Sequence, residues 1–518
     1  MKNIRFFAVL LVLCSLPIAA EERNISSSNW LEVSAKNIAN LEYAAQIKSL
    51  YRENDNQLIW LDLPTMERFE SQLDVIRRAG FSPMFTARLN QLRIYRENKA
   101  WFDYDLFATD TLVMYLSYAE QAEKVGQKWF FEGQKLNNRL PLPSENALIS
   151  LQVAVSTQGI EALIQSYTPT SVSYRPLMAA YQNLLPLESV FIPTYPQKGL
   201  LVKPGDKLED RELLIKRLSL VGIDMSQLNE NASWYDNSLV TVVKRFQRMH
   251  GLKSDGILGP ETLKWLNLPV KSRLTLLALN AERSRLWEQD EDTVIVVNIP
   301  GFDMKYWYSG KPVFSSKVVV GSVKRPTPLM SIKLDSVIFN PTWNVPRKIM
   351  VEDILPLAKR DADYFKRHHI DIIKNWSSNQ ALDPKEIDWT TVKPETFPYR
   401  MRQQSGRQNA LGLYKFNTPN SRAIYLHDTP SKHLFNNASR ALSSGCIRVQ
   451  DASVFASKIF ETQGIDEETL RKNATLSNKS VALKQRIPVH IIYQTVWYEG
   501  GTLQYRDDIY RFDAQTRG

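Results

Sequence analysis

The pattern of apolar residues changes once along this chain of 518 residues, and that change constrains the fold more than any other feature. Up to about residue 290 apolar residues recur at steps of three and four, as in Leu112–Tyr118, which is typical of amphipathic helices. After that point β-branched runs such as Thr293–Ile299 and Pro488–Tyr493 are typical of strands. The chain is also too long for one ordinary core. The sequence therefore predicts an α+β protein of several domains.

The N-terminus has the pattern of a secretory signal peptide over residues 1–20. Lys2 and Arg5 precede the apolar run Phe6–Ile18, and the small residue Ala20 stands before charged residues. We therefore expect an exported protein. Two alternatives stay open: an uncleaved signal would anchor the chain in the inner membrane, and Cys14 would carry a lipid.

Residues 21–200 are predicted to form a helical scaffold domain, in which no catalytic constellation stands out. Residues 201–268 form a second unit with three predicted helices. The second helix ends at Gly251, and Gly259-Pro260 begins the third, where proline's missing N–H costs nothing. This unit resembles the small peptidoglycan-binding module of wall hydrolases. The resemblance implies a surface that binds sugar and peptide, and the alternative is a packing module without a ligand groove.

Residues 290–515 are predicted to form a β-rich domain. The polar stretch 347–408 interrupts the strands and is too long for a simple connection in a compact β domain. We predict that it forms a capping insertion.

Charge and cysteine content narrow the classes of function. The net charge is +10, and an exported protein rarely meets nucleic acid, so the charge favours an anionic polymer or membrane surface, or solubility alone. Of two cysteines one lies in the signal, which leaves Cys446 as a single thiol that cannot form an internal disulfide. Such a thiol is either reactive or buried and inert.

Cys446 follows His427 by nineteen residues, and a predicted strand ends at His427. An imidazole can take the thiol proton and later protonate a leaving amine, and the resulting ion pair would lower the thiol pKa. Gly445 allows close approach of substrate, and N–H groups around Gly445 and Cys446 are natural oxyanion donors. On a strand Arg448 would share a face with Cys446, where it could hold a carboxylate.

This stretch resembles the active-site motif of the L,D-transpeptidase family. The matching residues are His427, Ser444, Gly445, Cys446, Ile447 and Arg448, with further similarity in 321–328, 339–346, 409–416 and 506–510. Many members place Ser-His before the glycine. Here Ser443-Ser444 stands there, so no second active-site histidine is assumed. The resemblance extends to the large periplasmic members, and it implies a periplasmic location and a β-rich catalytic domain with a capping subdomain.

The resemblance also implies a reaction. The thiolate of Cys446 would attack the carbonyl of the third residue, meso-diaminopimelate, in a donor tetrapeptide stem, and D-Ala would leave. An amine of a second stem would resolve the thioester and give a 3-3 cross-link. The implied catalytic residues are Cys446, His427 and Gly445, with Arg448, Tyr425 and Ser444 in substrate binding. Carbapenems would acylate Cys446. Peptidoglycan stems are the expected partners, with other wall-synthesis enzymes as further ones.

Two other functions stay open. An L,D-carboxypeptidase or a wall-lipoprotein amidase would use the same Cys–His pair with a different acceptor or substrate, and a non-enzymatic wall-binding protein would act through residues 201–268. No cofactor is predicted. A zinc site needs three or four ligands at ordered spacing, which His368, His369 and His433 do not provide.

Overall fold

The computed structural model describes residues 41–515 except 138, 197–200, 288–290, 362 and 379. The predicted signal peptide and the residues up to 40 lie outside this part. The chain divides into two compact units. One holds the chain up to Tyr181 together with Arg273–Leu286 and the residues from Asp513. The other holds Gln182–Ser272 and Trp287–Phe512. Among the described helices, none is long and apolar enough to cross a bilayer.

The first unit is helical, as the sequence predicts. Its helices are Ala44–Glu53, Leu63–Ala79, Pro83–Glu97, Trp101–Phe130, Glu145–Ser156 and Ile160–Ser166, with most of Tyr174–Leu184 and of Val270–Arg283. The second helix begins after Asp62, whose carboxylate accepts the Thr65 N–H at 2.9 Å, and it ends at the left-handed Gly80. The long helix Trp101–Phe130 lies at the centre, with Leu112 and Tyr115 fully buried.

The helical unit differs from a single continuous segment such as the predicted 21–200. The unit is discontinuous, because Arg273–Leu286 and the residues from Asp513 return to it. Arg283 is completely buried there, and its guanidinium pairs with Asp513 at 2.6 Å. A buried guanidinium needs such a partner, and the partner lies 230 residues away in sequence.

The second unit begins with the predicted three-helix module. Its helices are Arg211–Ser219, Asn237–Met249 and Pro260–Leu266. Gly251 follows the second helix with φ +66°, and Gly259 precedes Pro260. Gln247 holds the turn between them, because its amide accepts the Gly256 N–H at 2.8 Å and donates to the Ile257 carbonyl at 3.0 Å. The predicted helix order is confirmed.

The rest of this unit is built on strands. In chain order they are β1 Val294–Asn298, β2 Asp303–Tyr308, β3 Lys311–Gly321, β4 Met330–Phe339, β5 Trp343–Asn344, β6 Ile370–Ile373, β7 Ala381–Leu382, β8 Arg400–Gln403, β9 Tyr414–Asn417, β10 Leu426–His427, β11 Ala441–Ser443, β12 Ile447–Val449, β13 Lys479–Ile492, β14 Val496–Glu499 and β15 Thr502–Tyr505. Nine form one sheet in the order β11-β3-β12-β10-β9-β4-β13-β1-β2. An additional pairing of β2 with β3 closes this sheet into a barrel, and β14 and β15 form a hairpin.

Helix Ala452–Thr462 packs against the barrel, and helix Glu467–Ala474 follows it. The Phe455 ring contacts Phe416 of β9 and Phe314 of β3, at centroid distances of 4.5 and 5.1 Å. Leu426 of β10 and Ile447 of β12 are completely buried. Because strand side chains alternate, the residues on either side of them lie on the opposite face of the sheet.

One predicted strand is shorter than expected. In the predicted strand that ends at His427, only Leu426–His427 pairs, and Ala423 is left-handed with φ +52°. The Asn420 side chain forces a turn there, since its amide donates to the Ile424 carbonyl at 2.7 Å and its oxygen accepts the Ile424 N–H at 3.2 Å.

The predicted insertion forms a substructure with its own core, which we call the cap. It comprises the sheet β5-β8-β6-β7 and the helical segments Arg347–Ile349, Met350–Ile354 (a π-helix), Leu355–Ala358 and Tyr364–Arg367. Its core includes Met350, Leu355, Phe365, Ile372 and Met401. The cap sheet begins at Trp343, slightly before the predicted start at 347.

Candidate active site

Four predicted site residues lie on one face of the barrel sheet. β10 and β12 pair in parallel, with Leu426 opposite Ile447 and His427 opposite Arg448. The Ile447 N–H donates to the Tyr425 carbonyl at 3.1 Å, which continues the register by one residue. Since Leu426 and Ile447 point into the core, the side chains before and after each of them, Tyr425 and His427, Cys446 and Arg448, share the other face. The structure thus brings the predicted nucleophile and base together.

His427 is buried and held in one orientation. Its Nδ1–H donates to the carbonyl of Asp428 at 2.5 Å, which leaves Nε2 with the lone pair that can accept a proton. The Asp428 carboxylate is engaged elsewhere, with Lys432 and the Leu413 N–H. Burial, and then the charges of Arg448 and Lys415, lower the pKa of His427 to about 3. The imidazole is therefore neutral in the free protein.

Cys446 is half-buried, and its thiol faces the Ala423 carbonyl at 3.7 Å. The backbone N–H and the hydroxyl of Tyr425 both act to lower the pKa of the thiol. Burial raises the pKa of the thiol, although Tyr425, Lys415 and Arg448 oppose this. The expected ion pair with a lowered thiol pKa is therefore wrong for the free protein. Burial disfavours both charged forms, so the resting pair is a thiol and a neutral imidazole.

The backbone conformation at position 445 favours glycine, which the sequence did not reveal. Its φ is +116°, a region that L side chains rarely adopt. Its N–H donates to Ser443 Oγ at 3.1 Å, and the Ser443 hydroxyl donates to the Cys446 carbonyl at 2.6 Å. The Gly445 N–H is thus occupied, and the predicted oxyanion donor reduces to the N–H of Cys446.

Thr327 and Tyr510, which the sequence analysis did not single out, stabilise this turn through hydrogen bonds. The Thr327 hydroxyl donates to the Gly445 carbonyl at 2.7 Å and accepts the Gly321 N–H at 2.8 Å. The Tyr510 hydroxyl donates to the Gly321 carbonyl at 2.5 Å and accepts the Thr327 N–H at 3.2 Å. Both residues lie in stretches that resemble the family, but their roles depend on contacts between distant segments.

The cap contacts the site at two points. Exposed Ser444, predicted to bind substrate, accepts a hydrogen bond from Arg325 at 2.9 Å. The same guanidinium pairs with Glu352 and Asp353 of the π-helix, each at 2.5 Å. The Trp343 side chain in β5 also acts on the Tyr425 hydroxyl and lowers its pKa, against the larger effect of burial. Ser444 therefore lies where the cap meets the nucleophile turn.

Lys415 is a further site residue that sequence reasoning did not single out. It lies opposite His427 on β9, and its Nζ is 4.4 Å from the centroid of the Tyr425 ring. The only sequence signal was its place in the family-like stretch 409–416. Within the described residues, no three His, Cys, Asp or Glu side chains gather in a way that could hold a metal ion.

Comparison with known families agrees with this geometry. Residues 292–462 match the YkuD family, described as an L,D-transpeptidase catalytic domain. This segment is therefore similar to L,D-transpeptidase catalytic domains. Residues 207–266 match a family described as "Putative peptidoglycan binding domain", and residues 45–180 match one described as "Scaffold domain". The fold class and the family resemblance predicted from the sequence are confirmed.

Individual relatives cover only part of the chain. A protein of Haemophilus influenzae named "Putative L,D-transpeptidase" is 43% identical over 242 residues, which is 46% of this chain and 48% of that protein. The chain thus matches about half the length of this relative. An L,D-transpeptidase structure from Stackebrandtia nassauensis is 14% identical, covers 60% of this chain and 99% of its own, and has a TM-score of 0.21. One from Mycobacterium smegmatis is 10% identical, covers 39% and 58%, and has a TM-score of 0.18.

The match to the L,D-transpeptidase domain contains every residue of the face described above. Cys446, His427, Tyr425, Arg448 and Lys415 all fall within residues 292–462. The cap also lies inside this range, between β4 and β9. Tyr510 lies beyond it, so the hydrogen bonds behind the nucleophile turn extend past the matched segment.

Proposed function

We propose that the protein is a periplasmic cysteine L,D-transpeptidase that forms 3-3 cross-links between peptidoglycan stems. One observation carries the proposal: Cys446 and His427 share a sheet face, with Nδ1 of the imidazole bonded to the Asp428 carbonyl and Nε2 left to accept a proton. The matches to the L,D-transpeptidase and peptidoglycan-binding families support the choice of wall polymer as substrate.

The neutral resting pair dictates the order of proton transfer. Sγ attacks the carbonyl of the third stem residue while its proton passes to Nε2 of His427. Tyr425 stabilises the negative charge that develops on sulfur, and the Cys446 N–H faces the developing oxyanion. The imidazolium then protonates the departing D-Ala amine as the C–N bond breaks, which leaves a thioester. The acceptor amine attacks this thioester, gives its proton to His427, and the thiol is restored.

Purified protein incubated with tetrapeptide muropeptides tests this proposal through the masses of the products. We expect a dimer formed with loss of one D-Ala, and no product from Cys446→Ala. Tripeptide monomers alone would assign the protein as an L,D-carboxypeptidase. Binding to sacculi without any turnover would leave only the wall-binding function.

Acylation by a carbapenem tests the nucleophile separately from the acceptor. We expect intact-protein mass spectrometry to show one carbapenem adduct on the wild type and none on Cys446→Ala. An adduct on the variant, or none on the wild type, would contradict the assignment of Cys446.

A further inference from the structure

Two cations flank the general base on the face of the sheet that carries the nucleophile. Lys415 of β9 and Arg448 of β12 both lie opposite His427 of β10, so the three residues form one row across adjacent strands. Neighbouring strands are about 4.8 Å apart, which separates the backbones of the two cations by roughly 10 Å. Both charges act on the Cys446 sulfur, and Lys415 acts on it more strongly than Arg448. The two cations therefore bracket the reacting sulfur.

Neither cation is neutralised by the protein. Within the described residues, Lys415 and Arg448 form no ion pair, and the Lys415 amine instead packs over the Tyr425 ring. The Arg448 Nε is buried and has no hydrogen-bond partner in that part of the chain. Asp335, the one carboxylate that acts on Lys415, accepts hydrogen bonds from Asn417 at 3.0 Å and Ser336 at 2.7 Å. Partly buried cations without an ion-pair partner are costly, and this arrangement suits an anionic ligand.

We propose that Lys415 and Arg448 bind the donor stem through its carboxylates, one on each side of the scissile bond. The inference rests on the proposed function. In a tetrapeptide with its third carbonyl at Sγ, the two carboxylates nearest the scissile bond are that of the terminal D-Ala and that at the end of the diaminopimelate side chain. The two carboxylates lie in different directions from the reacting carbonyl. The two cations likewise lie on different sides of the reacting sulfur. Lys415 is then a specificity residue that requires an acidic donor.

Three synthetic donors separate the two carboxylates: the free acid, the diaminopimelate side-chain amide, and the D-Ala terminal amide. Release of the terminal residue is measured, because it reports acylation whichever acceptor follows. For the wild type we expect the lowest KM with the free acid. Lys415→Met raises that KM about ten- to a hundredfold, the range of one charge-assisted hydrogen bond, and any loss of kcat from the missing charge near the sulfur is the same for all three donors. For one of the two amides, this variant is expected to have the same KM as for the free acid. The carboxylate that is blocked in that amide is the one that Lys415 binds.

Two control variants accompany the measurement. Lys415→Arg keeps the charge and is expected to keep the preference for the acid. Lys333→Met removes an exposed lysine from β4 and is expected to change neither constant.

The inference is overturned if Lys415→Met raises KM by one factor for all three donors, or if it lowers kcat and leaves KM unchanged. The second result would make Lys415 a residue that tunes the thiol. A wild type that releases nothing from any donor contradicts the proposed function instead. Lys415 is then tested by the affinity of Cys446→Ala for the same peptides, with and without Lys415→Met.

Discussion

At the residue scale, the Cys446 thiol and the His427 imidazole are both uncharged at rest, because burial acts against each charged form. A raised thiol pKa means a smaller thiolate fraction at any given pH. We expect the rate of alkylation by iodoacetamide to keep rising past the ordinary thiol pKa of about 8.5. The same protein unfolded in urea is the control, with a midpoint near that value. A plateau below pH 7 would contradict the neutral pair.

Tyr425 supports the sulfur through its hydroxyl, so Tyr425→Phe removes one donor to the developing thiolate. We expect kcat to fall about tenfold or more, since a hydrogen bond to a charged group contributes about 1.5–3 kcal/mol. The thiol pKa measured by alkylation should also rise. Tyr414→Phe is the matched control, because that ring packs on Phe339 and lies on the other face of β9. Equal losses in both variants would contradict the role of the Tyr425 hydroxyl.

The local motif was enough to predict that Cys446, His427, Tyr425 and Arg448 lie near one another, because all four lie on or directly before two short strands close in sequence. It could not predict Lys415, whose position depends on the antiparallel register of β9 against β10. Nor could it show that Ser443 occupies the Gly445 N–H, since that contact depends on the positive φ of the glycine.

At the scale of elements, Arg325 joins the cap to the nucleophile turn. Its guanidinium holds Ser444 and two carboxylates of the π-helix Met350–Ile354. Because these carboxylates are nearly half exposed, the two pairs together contribute only about 1 kcal/mol, and salt screens them. Arg325→Gln should therefore raise amide hydrogen exchange in the π-helix about fivefold at low salt, and less at 1 M salt.

Arg367→Gln is the control for that measurement, since it removes a cap arginine that pairs with Asp361 away from the nucleophile turn. Its effect should stay near its own helix. If both variants change exchange in the π-helix equally, the Arg325 contacts do not hold that segment.

Periodicity predicted the helices and most strands of the barrel well, because each has an apolar pattern of adequate length. It failed for the segment before His427, where Asn420 imposes a turn on residues of high strand propensity. It also did not reveal the four-stranded cap sheet, whose strands span only two to four residues each.

At the scale of the whole molecule, the C-terminal stretch offers a matched pair of acids. Asp513 pairs with the completely buried Arg283, and Asp507 pairs with Lys264, both half exposed. Asp513→Asn should lower the free energy of unfolding of the helical unit by about 3–5 kcal/mol, because it breaks the ion pair of a completely buried guanidinium. Asp507→Asn should cost at most about 1 kcal/mol. Urea denaturation followed by circular dichroism measures both, and equal losses would contradict the difference in burial.

The discontinuity of the helical unit could not be predicted from the chain alone. Arg273–Leu286 has the same helical pattern as its sequence neighbours, and what assigns it to the first unit is contact with segments more than a hundred residues away. The pattern of apolar residues predicts whether a segment forms a helix or a strand. The compact unit to which the segment belongs depends on its tertiary contacts.

The cap enters the barrel between β4 and β9, and these two strands pair with each other, Phe339 opposite Tyr414. The two ends of the insertion are therefore adjacent in the sheet. A longer loop between adjacent ends adds little entropic cost of closure. The cap also has its own core. The cap and the sheet face that carries Cys446 and His427 are thus encoded in separable stretches of sequence. Evolution can lengthen, shorten or exchange the cap while Cys446 and His427 keep their places on the sheet.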